Sequence, residues 1–521
     1  MIAKYHVTLK VGRAVPCPPS AWKNGCWNPM AARKGLRALP LVALFFACVL
    51  SLRAQHGDPV LNGVTDVLPS LFQDVQGHPV VNSDRARWLA QGHRVEVTRG
   101  FYDPKLEAGL LHAGGPLRSP DSFLPGYVEA DTLAARGGVS LALDPGVHLN
   151  ASLTHWQAYD SARRDGHAAV AGLSAKIPLL KDRGFETARL STQVERELVD
   201  VAKSTWDATV QDVTYNIAHA YIAHLRAQAA HQESLSSSNR AARIYAETQE
   251  RVKLTANAAY ELHTARMEVA LRTDDVQAAD NARVQAVAVL RLASNSGLPQ
   301  DDVFWVPLPD ELQRWAALCR SAAPAALTNE PPLSNRPELR AAERMTRVRE
   351  TQSKLAAEEM KSDLSLRAGV GWRLHDSQWG YNGGDAFGWE IGIVWSRPLG
   401  GEAERHAHHA ATMEQAIAAC QRLHVGNTIA SEAVRARAAL ESALHRFEFV
   451  QSAVEEAKNS LTAEEERFRL GEGRTRNVLD AQKDLTNANL RSHDVAAELL
   501  RAYFDLAYAR GQLAPRNPVD F

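Results

Sequence analysis

Leu364-Ser365-Leu366-Arg367-Ala368-Gly369-Val370-Gly371-Trp372-Arg373-Leu374-His375 alternates apolar residues with polar residues or glycine, without a break. A β-strand turns successive side chains to opposite faces, so this period of two predicts a strand with one apolar and one polar side. Trp389, Ile391, Ile393 and Trp395 repeat the pattern against Glu390, Gly392 and Ser396, with Val394 the one exception. Trp372, Trp389 and Trp395 fall near strand ends, where indole rings sit at a membrane–water interface. A soluble sheet with one face on a core gives the same alternation, so the pattern alone leaves both readings open.

Working outward, the chain repeats itself. Pro79 and Pro337 open helical stretches 258 residues apart, and Leu106 and Leu364 open alternating stretches at the same separation. Ile177-Pro178-Leu179 then matches Arg397-Pro398-Leu399 at 220, so the first copy carries 258 − 220 = 38 extra residues between its strands. Beyond that, Glu250-Arg251 matches Glu466-Arg467, and Leu262 matches Val478, at 216. The further 220 − 216 = 4 residues predict a first long helix one turn longer than the second. In the first copy Ala171, Leu173, Ala175 and Ile177 alternate with Gly172, Ser174 and Lys176. Leu106 to His112, Val139 to Leu143 and Val147 to Trp156 compete for the other strand.

No proline interrupts Phe185 to Leu254 or Glu402 to Leu470, which predicts helices on the order of 100 Å long. In the second, Ala433, Leu440, Phe447, Val454 and Leu461 recur every seven residues, as do Ala436, Ala443, Val450 and Ala457, in the manner of coiled-coil seam positions. Each copy thus reads helix, strands, long helix, tight turn, returning helix. Between the copies, residues 298–335 carry Pro299, Pro307, Pro309, Pro324, Pro331 and Pro332 and read as a linker.

Over 521 residues, Lys plus Arg (59) nearly cancel Asp plus Glu (60), so no global charge points to nucleic acid. Arg33, Lys34 and Arg37 precede an apolar run from Ala38 to Leu52, which reads as a signal peptide cut near Ala54, with Met30 an alternative start. Phe45-Phe46-Ala47 before Cys48 departs from a lipidation motif. After cleavage Cys319 and Cys420 remain, enough for one disulfide and no framework.

Amphipathic strands in a secreted chain raise a closure problem. About eight strands is the smallest workable barrel, and an open edge in lipid leaves backbone groups unpaired. Four strands per chain, the number expected here, must be completed by other chains.

Glu466-Arg467-Phe468-Arg469-Leu470-Gly471-Glu472-Gly473-Arg474-Thr475-Arg476-Asn477-Val478-Leu479-Asp480-Ala481-Gln482 resembles the helix-turn-helix signature of the TolC family of outer-membrane efflux proteins. Trp395-Ser396-Arg397-Pro398-Leu399-Gly400-Gly401 is similar to the family's strand-to-helix marker. With the duplication, the resemblance covers residues 66 to 511. It implies a mainly α fold with a membrane β-barrel: a homotrimer with a 12-stranded barrel on a 12-helix tunnel in the periplasm. A periplasmic adaptor and an inner-membrane pump would be its partners, and it would have no cofactor and no enzymatic activity. By position, Arg251, Leu254, Arg467, Leu470 and Gly471 would form the adaptor-binding tips. Gly471 and Gly473 supply left-handed geometry at one tip; Leu254-Thr255-Ala256-Asn257 lacks glycine, and Asn257 would serve there. Glu261 and Asp480 would narrow the resting pore, while Asn477 stands where the family often has another aspartate.

The expected organisation is a leader (1–54), a first repeat (55–297), a linker or equatorial region (298–335), a second repeat (336–511) and a tail (512–521). His406, His408 and His409 read as solvated rather than metal-binding, and C-terminal Phe521 as unrelated to a closing strand. No P-loop, GxGxxG, HExxH or GxSxG occurs. The competing reading is a periplasmic coiled-coil interaction protein without a pore.

Overall fold

A computed structural model describes residues 75, 77–113, 116–117, 128–144, 146–160, 165–254, 259–295, 310–328, 335–375 and 386–513. The expected signal peptide, Cys48, Asn257 and Phe521 lie outside the described residues. Helix α1 (Pro79–Arg99) leads into β1 (Lys105–Ala113), the two-residue β2 (Pro116–Leu117), β3 (Val128–Leu143), β4 (Val147–Asp160) and β5 (Asp165–Pro178). The first helical hairpin follows as α2 (Glu186–Leu254) and α3 (Ala259–Ser294), then α4 (Glu311–Thr328) and α5 (Pro337–Glu359). The second copy continues with β6 (Asp363–His375), β7 (Ala386–Ser396), α6 (Glu402–Arg469) and α7 (Thr475–Ala509). Both α1 and α5 begin with proline in the first turn, where its fixed φ suits the helix and its missing N–H costs nothing.

The strands form one antiparallel sheet in the order β1-β3-β4-β5-β6-β7, with β2 set aside against β3. This corrects the expected four strands per chain to six long ones. The three candidate segments that competed for one place all enter the sheet. The 38 extra residues of the first copy are accounted for by the hairpin β3–β4, inserted between β1 and β5, the counterparts of β6 and β7.

The four further residues also sit elsewhere than expected. Helix α2 has 69 residues and α6 has 68, so neither is a turn longer. Since α2 starts at Glu186 and α6 at Glu402, the offset is already 402 − 186 = 216 at the helix start. The insertion lies in the strand-to-helix junction, which closes in a 3-10 turn at Arg183–Phe185. There Gly184 has φ 67° and Gly146, in the turn between β3 and β4, has φ 108°. A Cβ on Gly146 would stand 2.7 Å from the Gly184 Cα, so the two backbones touch. Phe185 is fully buried beside this contact, with the His148 ring at 4.6 Å and the Phe101 ring at 5.2 Å. The two insertions of the first copy therefore pack on each other.

The helices share a core of α2, α4, α6 and α7 side chains, including Ile217, Trp315, Leu440, Leu499 and Leu500. The heptad positions Ala436, Leu440, Ala443, Phe447, Val450 and Leu461 are among the buried residues of α6, because α7 packs along that stripe. The segment read as a linker is not helix-free. Helix α4 spans its middle and buries Leu312, Trp315, Ala316 and Cys319 against the core. Proline counts misled because five of the six prolines flank α4 and only Pro324 falls inside it. Cys319 and Cys420 are both free, and burial pushes the Cys319 thiol up to about 12.

The contact between the insertions gives a direct test. Gly146→Ala forces a left-handed φ on an L-residue and drives its methyl into backbone, for about 1–3 kcal/mol of strain. Gly109→Ala on β1, whose Cβ meets nothing within 4 Å, should change stability by less than about 0.5 kcal/mol. Urea unfolding in detergent is expected to separate the two variants in that order.

Candidate functional site

At the tip of the second hairpin, α6 ends on a Schellman cap. The Gly471 N–H donates to the Phe468 carbonyl and the Glu472 N–H to the Arg467 carbonyl, at 3.1 and 3.0 Å. Gly471 takes φ 83°. Gly473 is required for another reason, since a Cβ there would lie 2.8 Å from the Phe468 nitrogen. The turn leaves Leu470 70% exposed, and among the described residues Arg467 pairs with neighbouring Glu464, at 2.9 Å. Leu470, Gly471 and Arg467 thus stand together at an exposed tip.

Arg251 does not stand free beside them. Its guanidinium stacks 3.6 Å from the centroid of the Phe468 ring and donates to the Phe468 carbonyl. Phe468 is itself 3% exposed and packs with Ile244, Leu461, Val478, Leu479 and Leu485. Arg251 therefore ties the end of α2 to the end of α6. Leu254 is the last residue of α2, and the turn after it lies outside the described residues.

The two carboxylates expected to narrow the pore behave differently. Glu261, in the first turn of α3, accepts a 2.6 Å hydrogen bond from the hydroxyl of Thr475, the fully buried first residue of α7. Asp480 is exposed and lies 3.7 Å from Arg476 one turn earlier. Neither the Arg251–Phe468 stack nor the Glu261–Thr475 bond was anticipated. Arg251 and Phe468 lie on different copies, and the 216-residue offset pairs each with its own counterpart, not with the other.

The sheet presents the second feature. Its register carries one apolar face through every long strand: Leu106 faces Val139, Val139 faces Ala151, Ala151 faces Leu173, Leu173 faces Val370 and Val370 faces Trp389. Among the residues of this face, Leu106, Leu110, Leu153, Trp389, Ile391, Ile393 and Trp395 are each more than half exposed. The opposite face carries Glu107, Arg136, Ser152, Ser174, Lys176, Asp363, Arg367 and Glu390, with Lys176 and Asp363 3.6 Å apart. Val394, the exception in the alternation, lies on this polar side opposite Ser365.

Lower in the helices, a cavity of about 590 Å³ is lined by Asp212, Tyr215, Glu432, Arg435, Asp505 and Tyr508. Tyr215 donates to Asp505 at 2.8 Å, His219 lies 2.9 Å from the same carboxylate, and Tyr508 donates to Asp212 at 2.5 Å. These bonds join α2 to α7 and engage both aspartates, which is a structural arrangement. Among the described residues no group of His, Cys, Asp and Glu could hold a metal ion, and no helix is long and apolar enough to cross a membrane.

No protein-family model and no curated protein matches the sequence. Solved structures do match the fold. The outer membrane protein VceC of Vibrio cholerae is 14% identical, over 86% of this chain and 96% of that one, with a TM-score of 0.60. The CmeC outer membrane channel of Campylobacter jejuni is 14% identical over 86% of each chain, also at 0.60. The open state of the MtrE outer membrane channel of Neisseria gonorrhoeae is 16% identical over 86% and 90%, at 0.58. The chain shares the fold of these outer-membrane channels.

The tie at the tip yields a prediction. Arg251→Ala should raise amide hydrogen exchange over residues 468–474, and Arg251→Lys should restore protection only in part, since an ammonium lacks the planar stack. Arg467→Ala, with its exposed ion pair, should leave that exchange unchanged. Equal exchange in all three would show that the stack does not hold the tip.

Proposed function

We propose that this protein is an outer-membrane efflux channel of the TolC type. Three copies close a barrel in the membrane above a helical tunnel in the periplasm, and the channel passively conducts substrates handed over by an inner-membrane pump and a periplasmic adaptor. The observation that carries the reading is the exposed apolar face running through the sheet. Water would leave such a face uncovered over far more area than a soluble monomer normally exposes. Hydrocarbon covers it, and the exposed tryptophans Trp389 and Trp395 suit a lipid boundary. A periplasmic coiled-coil rod has no use for this sheet.

The remaining parts follow the same geometry. A helix of 69 residues extends about 100 Å, enough to carry a tip far from the membrane. Exposed apolar residues on α3 (Tyr260, Met267, Leu271) and α6 (Met413, Ile417) give neighbouring copies something to pack on. Leu470, Gly471 and Arg467 form the adaptor contact, together with Leu254 at the end of α2. Arg251 supports that surface from below rather than contributing to it directly. Asp480 lines the resting pore, and Glu261 holds the neighbouring helix ends in place.

Two measurements test this reading. A charge on the lipid face should cost about 2–4 kcal/mol at the bilayer centre, whereas a lumen position tolerates one. Ile391→Lys is therefore expected to abolish accumulation of heat-modifiable trimers in outer-membrane fractions, and Gly392→Lys, one residue away on the polar face, to leave it intact. Recovery of the unaltered protein as a soluble periplasmic monomer would end the proposal. For the pore, Asp480→Asn should lower cation-over-anion selectivity, read as the reversal potential across a planar bilayer under a salt gradient. An unchanged potential would remove Asp480 from the conducting path.

A further inference from the structure

The sheet leaves two open edges among the described residues, β1 and β7, each with a strand partner on one side only. We infer that β1 of each copy pairs with β7 of the next, so that the trimer closes a barrel of eighteen strands, six from each chain, instead of the twelve that the family resemblance implies. The inference rests on the channel reading and goes beyond it.

Three observations carry it. The first is order: β3 and β4 lie between β1 and β5, so the inserted hairpin cannot leave the sheet without breaking two complete ladders. A four-strand share of the barrel would require β1 to abandon β3 and pair with β5 directly. The second is phase. Leu133, Val139, Leu149 and Leu153 of the hairpin continue the apolar face of the flanking strands, and Arg136, Asn150, Ser152 and Thr154 continue the polar face. A hairpin hanging in water beside the barrel has no reason to keep that alternation in register. The third is anchoring: the hairpin's turn is seated at the helical end of the sheet through Gly146 on Gly184 and His148 on Phe185.

The edges suit one another. Every neighbouring pair in the sheet is antiparallel, so five reversals separate β1 from β7 and the two run in opposite directions. A rotated copy then brings β7 antiparallel to β1, and the ring closes without a parallel seam. Strand lengths agree, at nine residues for β1 and eleven for β7, about what a tilted strand needs to span the hydrocarbon. Left open, both rows of N–H and C=O groups would face lipid without partners. With strands about 4.8 Å apart and tilted about 40°, eighteen strands place the backbone about 18 Å from the axis, against about 12 Å for twelve. The mouth is then wide enough that the barrel does not limit which solutes pass, and selection falls to the helical tunnel.

The test uses the full-length trimer. Electron imaging of detergent-extracted protein should count eighteen strands around the barrel. In parallel, single cysteines at Leu153 and Ile391, in a chain whose native cysteines are replaced, would carry nitroxide labels in lipid vesicles. Both labels should be relaxed by oxygen and shielded from a water-soluble nickel chelate. Twelve strands, or a Leu153 label open to the chelate while the Ile391 label is shielded, overturns this inference and leaves the channel reading standing. If the Ile391 label is open to the chelate as well, the channel reading itself fails and this inference falls with it.

Discussion

A β-sheet in a membrane must satisfy every backbone donor and acceptor it carries, because hydrocarbon offers no hydrogen bonds. Among the described residues, this chain carries a sheet with two open edges and one exposed apolar face. Water could solvate the edges but not the face, and lipid could cover the face but not the edges. Both demands would be met if edges of neighbouring copies paired, and in the proposed trimer association is then part of the fold rather than an addition to it. The helices below the sheet repeat the situation in milder form. Their heptad seam is buried within one chain, while apolar residues on α3 and α6 remain uncovered.

The first copy differs from the second by two insertions, and the sequence offers no hint that they are connected. Thirty-eight residues build a hairpin; four residues reshape a junction 24 positions beyond the end of β4. Packing supplies the connection. A hairpin added to the middle of a sheet places its inner turn where the chain leaves β5 for α2, and the old junction has no room for it. The lengthened junction turns back through a left-handed glycine, so that Gly184 and Gly146 meet with no Cβ between them. The second copy lacks the 38 inserted residues, and β7 passes into α6 through a shorter link that ends at Gly400 and Gly401.

The features legible in the sequence were those written as strong period. Strands β6 and β7, with tryptophan and isoleucine against arginine and glycine, were readable almost residue by residue, and both long helices ended within two residues of their expected limits. The strand count was not readable, because much of β3 runs through alanine, glycine and arginine and only Val139 to Leu143 stands out. Contrast between its faces is low, and a 16-residue strand resembles a loop. Helix α4 was hidden by flanking prolines, although its burial of Trp315 and Cys319 outweighs the one proline inside it. At the tips, Gly471 was readable from turn chemistry alone. The partners of Arg251 and Glu261 were not, since Phe468 and Thr475 are brought to them by the packing of one copy on the other, and no spacing within either copy encodes that.

Those two contacts decide how the tips can move. Arg251 joins the end of α2 to the end of α6, and Glu261 joins the start of α3 to the start of α7. All four helix ends of one chain are thereby linked in pairs across the two hairpins. The Phe468 carbonyl accepts from both the Gly471 N–H of the turn and the Arg251 guanidinium, so the cap and the tie share one acceptor. Separating the hairpins at the tip would break a cation–π stack and strand the buried Thr475 hydroxyl together, at a cost of a few kcal/mol. Sliding one whole chain past its neighbour breaks neither. If copies of this chain enclose a tunnel as proposed, widening it between copies would leave both ties intact, and the helix faces available there carry exposed apolar residues on α3 and α6.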